Sequence, residues 1–235
     1  MGEGSSWRTA QVPALLPIPG LLHGFERRSR TARRVESRAA SRRRATVALA
    51  AEGELLLLKQ VHGARVERGP WRGRPAADAA VVDRPGYLLG IETADCLPLL
   101  VVDPRRRAVA AAHAGWRGSA AGVAGAAVAA LLAAGSRASE LIAAIGPGIG
   151  ACCYEVGEEL RRHFPEPSFS RRPGGRLHLD LRADNQRQLV AAGLSSQRIH
   201  HLADCTVCRA EHYHSFRRDG AGAGRMVSYV GWRRD

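Results

Sequence analysis

The chain has 235 residues, enough for one domain with a substantial core or two small ones. Its formal charge is +13, but the basic side is almost all arginine, and Lys59 is the only lysine. With the excess of Ala and Gly, that charge reads first as compositional bias on a solvated surface rather than a nucleic-acid footprint. An odd set of five cysteines (Cys96, Cys152, Cys153, Cys205 and Cys208), with no signal-peptide pattern, argues against a secreted disulfide framework. The apolar run 120–134 is too short and too rich in Ala and Gly to span a bilayer, so no membrane association and a cytoplasmic location are expected.

Along the chain, residues 1–20 hold Pro13, Pro17 and Pro19 and read as an arm or edge segment. Residues 26–44 carry an Arg/Ser cluster that includes Arg30, Arg33, Arg34, Arg38, Arg42 and Arg44, read as a loop with part of 35–50 helical. No aromatic residue lies between Phe25 and Trp71 to stack on bases, which argues against nucleic acid as the partner. From Glu54 onward the pattern turns to strands: 55–61, 79–82, 87–91, 97–102 and 108–113. Ser119 is placed to cap a helix over 120–134 that ends at Gly135. A strand over 141–145, a helix over 155–164 and a strand over 177–179 follow. Asp180 should cap a helix over 183–192, and strands over 199–202 and 225–230 close the pattern. The interleaving predicts a mixed α/β or α+β protein with sheets inside and helices outside.

Three apolar runs end in a soft metal ligand: His62 in Lys59-Gln60-Val61-His62-Gly63, Cys96 in Thr93-Ala94-Asp95-Cys96, and His113 in the segment running on to Gly118. One thiolate and two imidazoles suit a catalytic zinc, which takes three protein ligands and keeps a fourth position for water or substrate. Asp95 is placed to orient one of the imidazoles. Lys59 is notable in an arginine-rich chain because its ammonium is compact. Arg117 lies beside the proposed metal, and Arg217, Arg218 and Arg225 flank a glycine-rich turn, where forked guanidiniums suit phosphate.

Other readings use the same residues. Cys96 could be a nucleophile with His113 as its base. A type-one copper site needs a weak axial methionine, and the chain has only Met1 and Met226. Cys205 and Cys208 could form a four-thiolate zinc site with Cys152 and Cys153, but the adjacent pair lacks the usual two-residue gap, which counts against it. His212 and His214 are read as two imidazoles on one strand face.

The ordered set 60–63, 93–98, 112–118, 145–147, 153–157 and 217–220 resembles the laccase-domain family, from about Leu55 to the C-terminus. The family's members are known as polyphenol oxidases and as purine nucleoside phosphorylases with adenosine deaminase activity. The resemblance implies an α+β fold, a four-layer αββα sandwich of mixed sheets of the cysteine-hydrolase type, with residues 1–235 one domain and 1–50 its divergent Arg-rich segment. It implies zinc rather than copper, held at His62, Cys96 and His113. It also implies phosphorolysis of adenosine, inosine, guanosine or methylthioadenosine, and hydrolytic deamination of adenosine, so that a nucleoside and phosphate are the partners. A copper-dependent polyphenol oxidase and a Cys96/His113 cysteine hydrolase are the alternatives. Two departures stand out. The glycine loop that normally follows the strand at His23-Gly24-Phe25 is replaced by Glu26-Arg27-Arg28-Ser29-Arg30, and Tyr213-His214-Ser215-Phe216 replaces the usual pair of aromatics.

Overall fold

Strands buried at every position need a layer on both faces, and two neighbouring seven-residue strands meet that condition. β7 (Leu97–Asp103) and β8 (Ala108–Ala114) are buried throughout in the computed structural model, which describes residues 8–28 and 37–234. They pair antiparallel at the centre of a six-stranded sheet, Leu97 opposite Ala114 through Asp103 opposite Ala108. Its other strands are β4 (Val66–Arg68), β5 (Ala79–Val82), β9 (Ile142–Ile145) and β12 (Ile199–His201), in the order β12-β9-β7-β8-β5-β4. A five-stranded sheet packs against it. This second sheet holds β1 (Arg8–Ala10), β2 (Leu21–Arg27), β3 (Glu54–Leu57), β6 (Tyr87–Thr93) and β13 (Met226–Trp232), in the order β1-β2-β13-β6-β3. Both sheets are mixed, because β3–β6, β4–β5 and β9–β12 run parallel. A short hairpin of β10 (Phe169–Arg171) and β11 (Leu177–Leu179) lies apart from them.

Alternation along the strands sorts side chains into separate cores. Leu56, Leu89, Ile91, Val230 and Trp232 of one sheet meet Leu100, Val102, Val109 and Ala111 of the other. On the far face of the six-stranded sheet, Leu99, Val101, Ala110 and Ala112 pack under α3 (Val123–Ala133) and α4 (Leu181–Ala191). The alanines of β8 let α3 approach closely. On the outer face of the five-stranded sheet, α1 (Arg38–Leu49) sets Ala45 against Leu57 and Val227, and Leu49 against Leu88 and Tyr229. The order is therefore helix, sheet, sheet, helices, the αββα sandwich the resemblance implied.

Several expected elements shift. The helix over 120–134 is two: α2 (Trp116–Ala120) and α3, broken where Gly122 takes a left-handed φ of 80°. Ser119 is not its cap, for it is buried inside α2, where its Oγ accepts from Asn185 Nδ2 at 2.8 Å. The helix over 155–164 reduces to a 3₁₀ turn, Glu158–Arg162, because Gly157 and Pro165 leave too few residues to nucleate an α-helix. Asp180 does cap α4, its carboxylate accepting from the Ala183 amide at 3.0 Å. Within the Arg/Ser cluster Ser37 caps α1, while Arg30, Arg33 and Arg34 lie outside the described residues. His212 and His214 lie in irregular chain, not on a strand, with Tyr213 fully buried between them.

Candidate metal centre

The three expected ligands converge. The ligand atoms of His62, Cys96 and His113 all lie within 4.8 Å of one another, and the two imidazoles meet edge to face at 4.8 Å between centroids. His62 follows β3 in a loop, Cys96 sits at the start of β7, and His113 is inside β8 opposite Pro98 rather than past its end. Two backbones in the set are unusual, His62 at φ 64° and Asp95 at φ 88°, a region that non-glycine residues occupy only when their surroundings hold them there.

Asp78 holds the first of these. Its buried carboxylate accepts from the amides of Val61 at 3.1 Å, His62 at 2.9 Å and Gly63 at 2.7 Å. The same carboxylate lies 2.8 Å from His113 Nδ1, and the Asp78 carbonyl accepts from the His113 amide at 2.7 Å. One side chain thus fixes the loop carrying one imidazole and the tautomer of the other, leaving His113 Nε2 to face the cluster. The orienting role expected of Asp95 therefore falls to Asp78. Asp95 is committed elsewhere, accepting from Thr206 Oγ1 and the Arg217 amide, each at 2.6 Å, and from the Ile149 amide at 2.7 Å through its carbonyl. It anchors the segment that carries Arg217.

The electrostatics favour a thiolate. Burial alone would push the Cys96 thiol up, but the charge of His113 and hydrogen bonds from His113 and His62 outweigh it, bringing the pKa from 9.0 to about 6. Burial opposes charge on His113 too, yet Cys96 and Asp78 raise it from 6.5 to about 9. Asp78 is held below its ordinary value, because His113 and three amides overcome the cost of burial. The donor set fits zinc: one ionisable thiol, two imidazoles, and a carboxylate behind one ring. Gly115 leaves room for two of the candidate ligands, since a Cβ there would come within 2.8 Å of Cys96 Sγ and 3.3 Å of His62 Cδ2. Gly115→Val is accordingly expected to cut bound metal at least about 10-fold, comparable to loss of a supporting partner, with the fold retained by circular dichroism; unchanged metal content would count against this packing.

The cluster lies on a cleft of about 700 Å³, the size of a small-molecule site. Lys59, Asp95, Arg117, Arg217 and Arg225 line it, as does each ligand. The Arg117 guanidinium lies 4.4 Å over the Trp116 ring, and that of Arg217 lies 5.3 Å over Tyr154. Arg225 is half-buried, and its Nη1 donates to the carbonyls of Ala223 and Gly224. Arg218 does not line the cleft. Its guanidinium donates to the carbonyls of Thr206, Val207 and Tyr213 and to the Asp219 carboxylate, so it braces the loop instead of binding anions.

Further residues at the cleft carried weak signals or none. Arg38 and Arg42 of α1 line it, as do Arg74 and Glu92, and both carboxylate oxygens of Glu92 are taken, by Arg42 at 2.8 Å and Arg74 at 2.6 Å. They were masked by the arginine excess. Gln60 makes paired 2.8 Å hydrogen bonds to the Glu92 backbone and so ties the His62 loop to β6.

A two-sheet α+β fold that gathers one thiol and two imidazoles on the wall of a cationic cleft defines a class of candidate metal-centre proteins. Within it, the chain belongs to the family described as multi-copper polyphenol oxidoreductase laccase, which matches residues 28–233 and so begins ahead of the motifs that start near Leu55. A protein named purine nucleoside phosphorylase from Deinococcus radiodurans is 38% identical over 178 residues, 74% of this chain and 68% of that one. One named adenosine deaminase RL5, from an unknown prokaryotic organism, is 35% identical over 195 residues, 75% of this chain and 74% of its own length. The crystal structure of YlmD from Geobacillus stearothermophilus matches with a TM-score of 0.84 at 30% identity, covering 100% of this chain and 98% of that one. Among the described residues no helix is long and apolar enough to cross a membrane.

Proposed function

We propose that the chain is a zinc-dependent purine nucleoside phosphorylase with adenosine deaminase activity, accepting adenosine, inosine, guanosine and methylthioadenosine in the cytoplasm. The observation that carries this reading is the meeting of His62, Cys96 and His113 on one side of an arginine-lined cleft of nucleoside size. The names of the relatives point the same way. Held by these three side chains, zinc would supply Lewis acidity for polarising a substrate oxygen or a water. Among the described residues no methionine lines the cleft, which supports zinc over type-one copper.

The chain's own groups would divide the work. With zinc bound, Asp78 would hold the proton on His113 Nδ1 while Nε2 would give up its own to solvent and serve as a neutral ligand. Arg117, Arg217 and Arg225 bind phosphate and hold it toward the sugar, where one of its oxygens attacks C1′ as the bond to the base breaks. Asp95 sets the Arg217 backbone, and Lys59 adds a compact cation near the metal ligands. Trp116, Tyr154 and Phe216 provide aromatic wall for a purine.

The test is phosphate-dependent release of base from a nucleoside panel. Cys96→Ala should lower turnover by more than about 100-fold, since losing a ligand costs more than losing its supporting partner; phosphate-independent activity equal in both proteins would overturn the reading. Arg217→Ala should raise the phosphate KM by about 10–100-fold, the equivalent of one charged hydrogen bond. Arg218→Ala should instead lower Tm and shift that KM far less, because its donors brace the loop.

The thiolate–imidazolium pair gives one specific reason to keep a second reading, a cysteine hydrolase using Cys96 and His113. Activity that survives complete chelation but is lost to iodoacetamide would favour it. Copper with visible absorbance in the purified protein would favour a polyphenol oxidase.

A further inference from the structure

We propose that Cys152, Cys153, Cys205 and Cys208 hold a second zinc ion, a structural one that staples one wall of the cleft. The spacing of Cys152 and Cys153 counted against such a site, yet the four sulfurs lie within 4.8 Å of one another. Cys208 Sγ is 3.7 Å from that of Cys152 and 3.4 Å from that of Cys153. Four thiolates about 2.3 Å from a tetrahedral zinc stand roughly 3.8 Å apart, whereas a disulfide needs about 2.05 Å. All four are free thiols. The turn that follows Gly150, with the Cys153 and Tyr154 amides both donating to its carbonyl, lets two adjacent cysteines turn to the same point.

Two further observations fit a bound cation. Backbone amides surround Cys205 Sγ: Gly150 donates at 3.3 Å, and those of Val207 and Cys208 also face it, an arrangement that stabilises a metal-bound thiolate. Beside the cluster the Arg182 guanidinium keeps Nε and Nη2 buried without a hydrogen-bond partner, its charge set among Cys205, Cys152, Asp180 and Asp204. A four-thiolate zinc carries two net negative charges, which a neighbouring buried cation offsets. A surface depression lined by Cys152, Cys153 and His178 gives the ion its way in. As zinc enters, each thiol releases its proton to solvent and its sulfur donates a lone pair to the metal, with no change of oxidation state.

The site reaches the cleft through Thr206. That residue lies between two of the cysteines, donates from Oγ1 to Asp95, and receives Arg218 on its carbonyl. Zinc here would fix the segment that presents Phe216 and Arg217 without touching substrate.

The experiment is zinc content per full-length chain by mass spectrometry, on wild type, Cys96→Ala and Cys205→Ser/Cys208→Ser. Two equivalents are expected in wild type, and one in each variant. Because the double variant could fold poorly, wild type and Cys96→Ala are also titrated with an organomercurial beside a zinc indicator. Cys96→Ala should release its remaining zinc only as four thiols are consumed. A wild-type chain with one zinc that Cys96→Ala abolishes would overturn the second site and leave the catalytic reading intact. A Cys153–Cys208 disulfide, or iron in place of zinc, would overturn it too. One zinc that survives Cys96→Ala and is lost with Cys205 and Cys208 would support this site and count against the catalytic one.

Discussion

Asp78→Asn should strip the candidate metal centre while leaving the sandwich folded. The substitution keeps the shape of the side chain and removes its charge. Five polar hydrogens converge on Asp78: four on its carboxylate, from the Val61, His62 and Gly63 amides and His113 Nδ1, and one on its carbonyl. An asparagine offers one acceptor oxygen to the four, and its NH₂ points two donors at groups that donate already. Left unmet, the buried His113 donor costs about 1–3 kcal/mol, and the part-buried amides less. The least-tethered element gives way first, and that is the His62 loop, held at a positive φ by these bonds. The expected result is a 10–100-fold loss of zinc affinity, the usual consequence of removing a ligand's supporting carboxylate, with a matching loss of phosphorolysis. Zinc affinity measured by competition with a chelating dye, next to a circular dichroism spectrum, checks it. An Asp78→Asn protein with wild-type zinc affinity would show that the three ligands are positioned by something else.

That residue also marks the limit of what the sequence discloses. His62, Cys96 and His113 were legible because each interrupts or ends an apolar run with a side chain that such a run does not need. Asp78 looks like an ordinary residue ahead of a short strand, and its importance comes only from β5 lying beside β8, a pairing far apart in the chain. Strand periodicity was read well where both faces are covered, as in β5, β7 and β8. The extent of the helix over 120–134 is not legible, because a glycine sets the backbone at Gly122 between α2 and α3. The convergence of the four cysteines is not legible from ligand spacing, a rule that assumes an extended hairpin rather than the tight turn at residues 150–153. Arg38 and Arg42 were hidden by composition, since in a chain this rich in arginine no single one stands out until α1 sets both on the cleft.

Alkylation of Cys96 in the metal-free protein should become half-maximal near pH 6 and stay flat above it, and added zinc should abolish it. An ordinary thiol with a pKa near 9 is only about 0.1% thiolate at pH 6, so even after the lower nucleophilicity of a stabilised thiolate, Cys96 should react roughly 20-fold faster there. Peptide mass spectrometry separates Cys96 from the other four cysteines. Stability over the same range should respond differently. Cys96, lowered from 9.0 to about 6, contributes stability that is present above 9 and lost as pH falls through 6. His113, raised from 6.5 to about 9, contributes stability that is present below 6.5 and lost as pH rises through 9. Between those limits the two slopes oppose each other, because one proton moves from sulfur to nitrogen and none leaves the pair. Metal-free wild type should therefore hold a nearly constant Tm from pH 6.5 to 9 as far as this pair is concerned. An alkylation midpoint near 9 would mean that sulfur keeps its proton, and with it the ion pair and the hydrolase alternative would both fall.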